Sequence, residues 1–238
     1  AMEQLAKALA LRPLDRAAQV LRIKIFLEQQ RTDQALALAT TLADARAGDP
    51  YVLNALGLAQ LGANDAAAAR QSFRAALDAA PAFPDAALNL VRLSLRDGDP
   101  KGARTLLEEV VAAAPGHVEA TLALAELDAS GGDIRGQQQR LRAATDAAPT
   151  EVRFRLALAR SYLNDGMAQR ARSLVQSAPE RMRQRPEMMR VMGQSQAVLG
   201  DLDAALDTFE ALQLKTPERG APYLLATGIH GKQRNRDT

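Results

Sequence analysis

His117 and His230 are the two histidines of this 238-residue sequence, and histidine is the side chain best suited to carry a proton or hold a metal ion near neutral pH. Either use needs company: a nucleophile or carboxylate for base catalysis, further donors for a metal. Neither histidine has it at a recognisable spacing. His117 stands in the connection Pro115-Gly116-His117 and reads as a solvated loop residue. His230 falls in an incomplete unit near the chain end, where packing or exposure accounts for it. Glu108 and Glu109 form a carboxylate pair, the raw material of acid–base chemistry, but on a helix they read as a solvated face. Gly131-Gly132 fits a turn and lacks the strand-before-helix setting of a phosphate loop. There is no HExxH, no Walker loop and no GxSxG. The absence of cysteine excludes disulfides, thiolate metal sites and cysteine nucleophiles. We therefore expect no catalytic, cofactor-binding or metal-binding residues, and a non-catalytic protein.

Composition narrows the class further. Thirty basic residues stand against 28 acidic ones, and both signs are interspersed along the chain. A nucleic-acid protein should carry a basic stripe, so no nucleic-acid partner is expected. No apolar run reaches the roughly 20 residues that a membrane span requires. Aromatics are 3%, without tryptophan, and much of the apolar content is alanine, which suits small side chains on closely packed helices. The opening AMEQLAKALALRP already lies inside a helical pattern, and the closing HGKQRNRDT ends without a finished element. On that ground we expect a segment of a longer protein.

The elements that would position any site follow from an internal repeat. A 34-residue frame starting at 16, 50, 84, 118, 152, 186 and 220 runs the whole chain without insertion. It gives a half repeat 1–15, repeats 16–49, 50–83, 84–117, 118–151, 152–185 and 186–219, and a partial repeat 220–238. Position 20 is Ala35, Ala69, Ala103, Gln137, Ala171 and Ala205, and position 24 is Ala39, Phe73, Leu107, Leu141, Val175 and Phe209. Position 8 is Ile23, Gly57, Val91, Ala125, Ala159 and Gly193. Positions 4, 7, 8 and 11 form one helical stripe, and 20, 24, 27 and 28 another. Small residues at 8 and 20 let two helices cross closely, and the residue at 24 fills the space beside them. Asn64-Asp65, Gly98-Asp99, Gly132-Asp133 and Gly200-Asp201 supply a left-handed helix stop and then an N-cap. Pro81, Pro115 and Pro149 close the second helices. In 16–49, Ala47 replaces that proline, and Gly48-Asp49-Pro50 takes over the stop. In 152–185, Pro179 should end the second helix near Ala178 and leave APERMRQRP as a bridge. Strand patterns are absent. Each unit is a helix–turn–helix, and stacking buries a continuous spine.

This 34-residue period with Ala, Phe and Pro at fixed offsets resembles the tetratricopeptide repeat family. The Trp and Tyr common at positions 4 and 11 are mostly missing, making this an aliphatic variant. The resemblance implies an all-α fold, a right-handed superhelix of helix–turn–helix repeats. It also implies that the first helices line a concave groove through positions 2, 5, 9 and 12. The candidates are Tyr51, Asn54 and Leu58, then Asp85 and Arg92 with the neighbouring Asn89, then Glu119 and Glu126 with Leu122, then Arg153 and Arg160, then Arg190 and Gln194. A groove of mixed charge over aliphatic patches suits a protein or peptide partner. The family's carboxylate-clamp pattern is not met, Asn89 with Arg92 being its nearest fragment. Exposed terminal repeats are a further surface for self-association.

A finer resemblance lies in VMGQSQAVLGDLDAALDTFEALQLKTPERGAPYLLATG. It looks like the long lipid-anchored repeat proteins found beside bacterial exosortase (PEP-CTERM) sorting and exopolysaccharide clusters. That implies a periplasmic or outer-membrane-anchored scaffold. The runner-up is an accessory repeat region of a polysaccharide-secretion subunit, or of an enzyme whose catalytic domain lies outside this segment.

Overall fold

The computed structural model describes residues 15–81 and 83–216. The half repeat before residue 15 and the partial repeat 220–238, with His230, lie outside the described residues. The chain divides into two compact units, Ala1–Ala120 and Thr121–Thr238. The first contains α1 (Arg16–Glu28), α2 (Thr32–Ala45), α3 (Pro50–Gly62), α4 (Ala66–Ala79), α5 (Pro84–Arg96) and α6 (Pro100–Ala113). Helix α7 (Val118–Ser130) spans the division. The second unit continues with α8 (Ile134–Ala147), α9 (Val152–Asn164), α10 (Ala168–Gln176), α11 (Glu180–Arg183), α12 (Pro186–Leu199) and α13 (Leu202–Lys215). No strand occurs among the described residues, and the fold is all-α.

Local chemistry sets these boundaries. The residue at frame position 15 has a positive φ in each described repeat, from Gln30 at 58° to Gly200 at 85°. The next N–H reaches back to a carbonyl five residues earlier, as Asp65 does to Gln60 at 2.9 Å and Asp99 to Ser94 at 2.8 Å. This closes the first helix in a Schellman motif. Gln30 is the exception in type, since a β-carbon in the left-handed region costs roughly 1–2 kcal/mol. The following aspartate then opens the second helix: Asp65, Asp99 and Asp133 accept from the N–H groups of Ala68, Gly102 and Gly136 at 2.8–2.9 Å. Asp201 takes the same place without a side-chain cap bond. His117 also departs from expectation. It lies in the loop as expected but is only partly solvated: its Nδ1 accepts from the Ala120 N–H at 3.2 Å, which caps α7, and its side chain is 20% exposed.

The spine forms where the two stripes meet. Positions 8 and 24 trade volume: Gly57 faces Phe73 and Gly193 faces Phe209, whereas Ile23 shares its frame with Ala39. A β-carbon on Gly57 would lie 2.7 Å from Phe73 Cδ1, and one on Gly193 2.7 Å from Phe209 Cε1. Phe73 and Phe209 are fully buried in consequence. Pro179 shortens its helix as expected, α10 ending at Gln176. The bridge is not extended, for Glu180–Arg183 makes one turn, α11, and its Met182 enters the core. The open end of α10 is met by Arg155, which is 8% exposed. Arg155 Nη1 donates to the Leu174 carbonyl and to Ser177 Oγ, both at 3.1 Å. A guanidinium here satisfies orphan carbonyls and opposes the negative helix end.

Candidate functional site

In the first unit the repeat places the starts of α3 and α5 side by side, and their polar residues form a ladder. Asn54 and Asn89 are 5% and 3% exposed. Asn89 Nδ2 donates to Asn54 Oδ1 at 2.7 Å, and Arg92 Nη2 donates to Asn89 Oδ1. Two amides are thus buried because each meets the other, and an exposed guanidinium is anchored at the end of the row. Tyr51 stands beside them, its ring edge-on to Phe83 at 4.9 Å and covered by the Arg16 guanidinium at 4.3 Å. Arg16 also pairs with Asp49 at 3.5 Å, and Asp49 caps α3. Leu58 is drawn into the core around Phe73 and Leu90. Asp85 is exposed in the first turn of α5, and Glu119 in that of α7.

In the second unit α7, α8 and α9 enclose a pocket of about 440 Å³. Ala125 and Leu141 are buried beneath it, and Leu122 and Ala157 complete an apolar floor. Glu126 and Arg160 both line the pocket and are exposed, yet among the described residues neither is in an ion pair. Ser161 Oγ bonds to Gln137 Oε1 at 2.6 Å and Gln138 Nε2 to Asp165 Oδ2 at 3.0 Å, which fixes the polar wall. The result is an oily trough with one free charge of each sign.

Arg153 stays exposed but is engaged by a neighbour. Its Nε and Nη2 reach Glu151 Oε1 and Oε2 at 3.1 and 3.2 Å, while Glu151 also accepts from the Arg153 N–H to cap α9. Those side-chain and backbone bonds hold the Glu151 carboxyl below its ordinary range, against a small opposing effect of burial. Arg190 and Gln194 are half-buried on α12, and Arg190 Nε is buried without a hydrogen-bond partner among the described residues. The structure thus joins Asn54, Asn89 and Arg92 in one row, and Glu126 and Arg160 on one pocket. It leaves the remaining candidates apart. Sequence reasoning missed the Arg16 and Phe83 contacts of Tyr51, and it missed Arg155. An arginine at frame position 4, where other repeats have Leu53, Ala87, Thr121 and Met189, was the signal for Arg155.

Among the described residues no three His, Cys, Asp or Glu side chains gather as a metal site, and no helix is long and apolar enough to cross a membrane. Paired helices repeating every 34 residues, each closed by the same turn, define a helical-repeat protein. The chain belongs to the tetratricopeptide repeat family, whose models match residues 1–50, 54–118 and 89–138, and again 189–211. No curated protein matches it in sequence. Among solved structures it is similar to PilW, a widely conserved type IV pilus biogenesis factor. There the TM-score is 0.62 and the identity 16%, over 90% of this chain and 99% of that one. It is similar to YrrB, a repeat protein with an unusual peptide-binding site, with TM-score 0.55 and 15% identity over 82% and 97%. In the APC/C hetero-tetramer Cut9–Hcn1 it matches a chain with TM-score 0.58 and 15% identity, covering 97% of itself and 45% of that chain. The chain therefore spans less than half of that neighbour's length.

Proposed function

We propose that this chain is a non-catalytic scaffold that binds a protein or peptide segment on the first helices of its repeats, the concave groove that the family resemblance implies. The observation that carries the reading is the trough between α7 and α9: Glu126 and Arg160 flank an apolar floor and, among the described residues, are in no ion pair. A partner offering an aliphatic side chain between a basic and an acidic group fits it, because each charge gains a pairing that the chain itself does not satisfy. The Asn54–Asn89–Arg92 row offers a second polar anchor in the first unit. YrrB, a repeat protein with an unusual peptide-binding site, is consistent with this use of the fold.

The setting we propose is the bacterial envelope, facing the periplasm, within exopolysaccharide or PEP-CTERM sorting machinery. It is supported by the phrasing of residues 191–228. The test is a crosslinking pull-down of the full-length protein from its native cells beside an Arg160→Glu form. Envelope polysaccharide or sorting components recovered by the native form alone are the expected result. Equal recovery by both forms moves the site away from Arg160, and recovery of cytosolic proteins only overturns the envelope setting.

A further inference from the structure

The charges of this chain are less evenly spread than their totals suggest. Residues 134–185 hold eleven arginines and no lysine, against four carboxylates, although the whole chain is nearly balanced. Two of those four carboxylates, Glu151 and Glu180, are already paired with Arg153 and Arg183.

Two of these arginines meet at a second groove, of about 560 Å³, away from the trough of Glu126 and Arg160. It lies between α8 and α10, over α9. Arg142 and Arg170 line it and are exposed, with Ser173, Ser177 and the Tyr162 hydroxyl beside them. Arg142 Nη2 donates to Tyr162 Oη at 2.8 Å, which holds the guanidinium over the groove. Asp146 is the one carboxylate of the lining, and among the described residues neither Arg142 nor Arg170 is in an ion pair. Beneath the groove lies Arg155, which is 92% buried. Among the described residues it bonds only neutral acceptors, both from groove-lining residues, and its Nε has no partner. A buried cation without a carboxylate projects positive potential into the adjoining cleft.

The repeat supplies its own control. Two repeats earlier, between α4 and α6, the same frame positions line a groove of about 640 Å³. There Gly102 stands for Arg170 and Glu109 for Ser177, and Asp99 is added to the lining. With Arg70 also in that lining, equivalent backbone carries three carboxylates against two arginines in one place, and one carboxylate against two arginines in the other. The basic character is a property of side chains at chosen positions, not of the repeat.

We infer that the α8–α10 groove is a second docking face, for an acidic segment of a partner protein. Arg142 and Arg170 take its carboxylates, the Ser173 hydroxyl donates beside them, and Leu158 and Leu174 receive the aliphatic stems. Planar guanidinium forks match carboxylates in two-point contact. A nucleic acid or a sugar polymer is the poorer fit, because the groove has one ring, Tyr162, and no platform for stacking.

The test uses the whole chain and a fluorescein-labelled oligoglutamate, read by fluorescence anisotropy at low and physiological ionic strength. Binding that weakens with salt, and that falls about tenfold or more in Arg170→Glu, is expected for loss and reversal of one charge-assisted contact. Arg142→Gln should weaken it to a lesser degree. Arg74→Glu, the counterpart of Arg142 in the first unit, should leave it unchanged. Circular dichroism of each variant confirms that the helices are intact. No binding by the native chain overturns the proposal, and so does an equal loss in Arg74→Glu and Arg170→Glu. Tighter, Arg170-dependent binding of heparin overturns the choice of a protein partner. None of these variants touches Arg160 in the trough, so this face can fail while the trough stands.

Discussion

Glu151 shows how a single side chain serves fold and surface at once. Its carboxylate caps α9 and clamps Arg153, so a residue expected to meet a partner is engaged by the last residue of the preceding repeat. The same two bonds, with the nearby positive charges of Arg153 and Arg185, lower its pKa. A carboxyl whose folded pKa is depressed adds stability above its unfolded pKa, and that stability is lost as pH falls through the folded value. Urea unfolding followed from neutral pH down through about pH 4 and below should therefore show a declining midpoint. Glu151→Gln should be less stable at neutral pH, and its midpoint should fall less on acidification. Parallel curves for the two proteins would mean that Glu151 contributes nothing to the acid dependence. Asn54 and Asn89 follow a different logic. Their placement on the first helices was legible from the frame, but their burial was not, because the amide that satisfies each lies one repeat away. Leaving either amide alone costs about 1–3 kcal/mol, whereas replacing both by apolar groups costs far less.

Helices were the most legible level. The Schellman turns at Asn64, Gly98 and Gly200 and the proline stops follow from backbone sterics that act within five or six residues, and the sequence displays them directly. Gln30 occupies the same left-handed position without displaying it. There the Arg31 N–H still closes the turn on the Phe26 carbonyl at 2.8 Å, although the residue itself disfavours the conformation. Contacts across the two helices of a repeat were half legible: small and large residues were seen at positions 8 and 24, but not that they compensate pair by pair. Gly57→Ala puts a methyl group into the Phe73 ring. Overpacking of this kind costs about 1–3 kcal/mol. Phe73→Leu in the same chain should recover much of it, since Val91 with Leu107 shows that the frame accepts that combination. Thermal melts of the native protein, the single variants and the double variant measure the coupling. If the two changes simply add, the ring is not what excludes the methyl group. Arg155 and Pro179 mark the limit of reading by element. The proline announced a short helix, but what meets its open end came from α9, outside the local window.

At the scale of the molecule the sequence carries a longer rhythm than one repeat. Position 9 is basic at Lys24, Arg92 and Arg160 and not at Leu58, Glu126 and Gln194. The polar couples joining positions 11 and 23 occur in the second set of repeats, as Gln60 with Ser72, Asp128 with Arg140 and Gln196 with Thr208. The corresponding residues of the first set are Phe26 with Leu38, Ser94 with Leu106 and Tyr162 with Leu174. Function could not be read from this rhythm, because the candidate sites depend on which charges remain unpaired after neighbouring repeats have met. The architecture itself makes a prediction. A stacked array holds its stability as repeat terms plus nearest-neighbour terms, so damage should stay near its source. Ala103 sits fully buried on α6 at the close crossing with its partner helix. Ala103→Trp forces an indole into a site without space, which costs at least about 1–3 kcal/mol. In native-state hydrogen exchange, the amides of α5 and α6 should lose protection while those of α12 and α13 keep theirs. A uniform fall along the chain would show that the repeats unfold as one cooperative block, and the nearest-neighbour account of this protein would have to be abandoned.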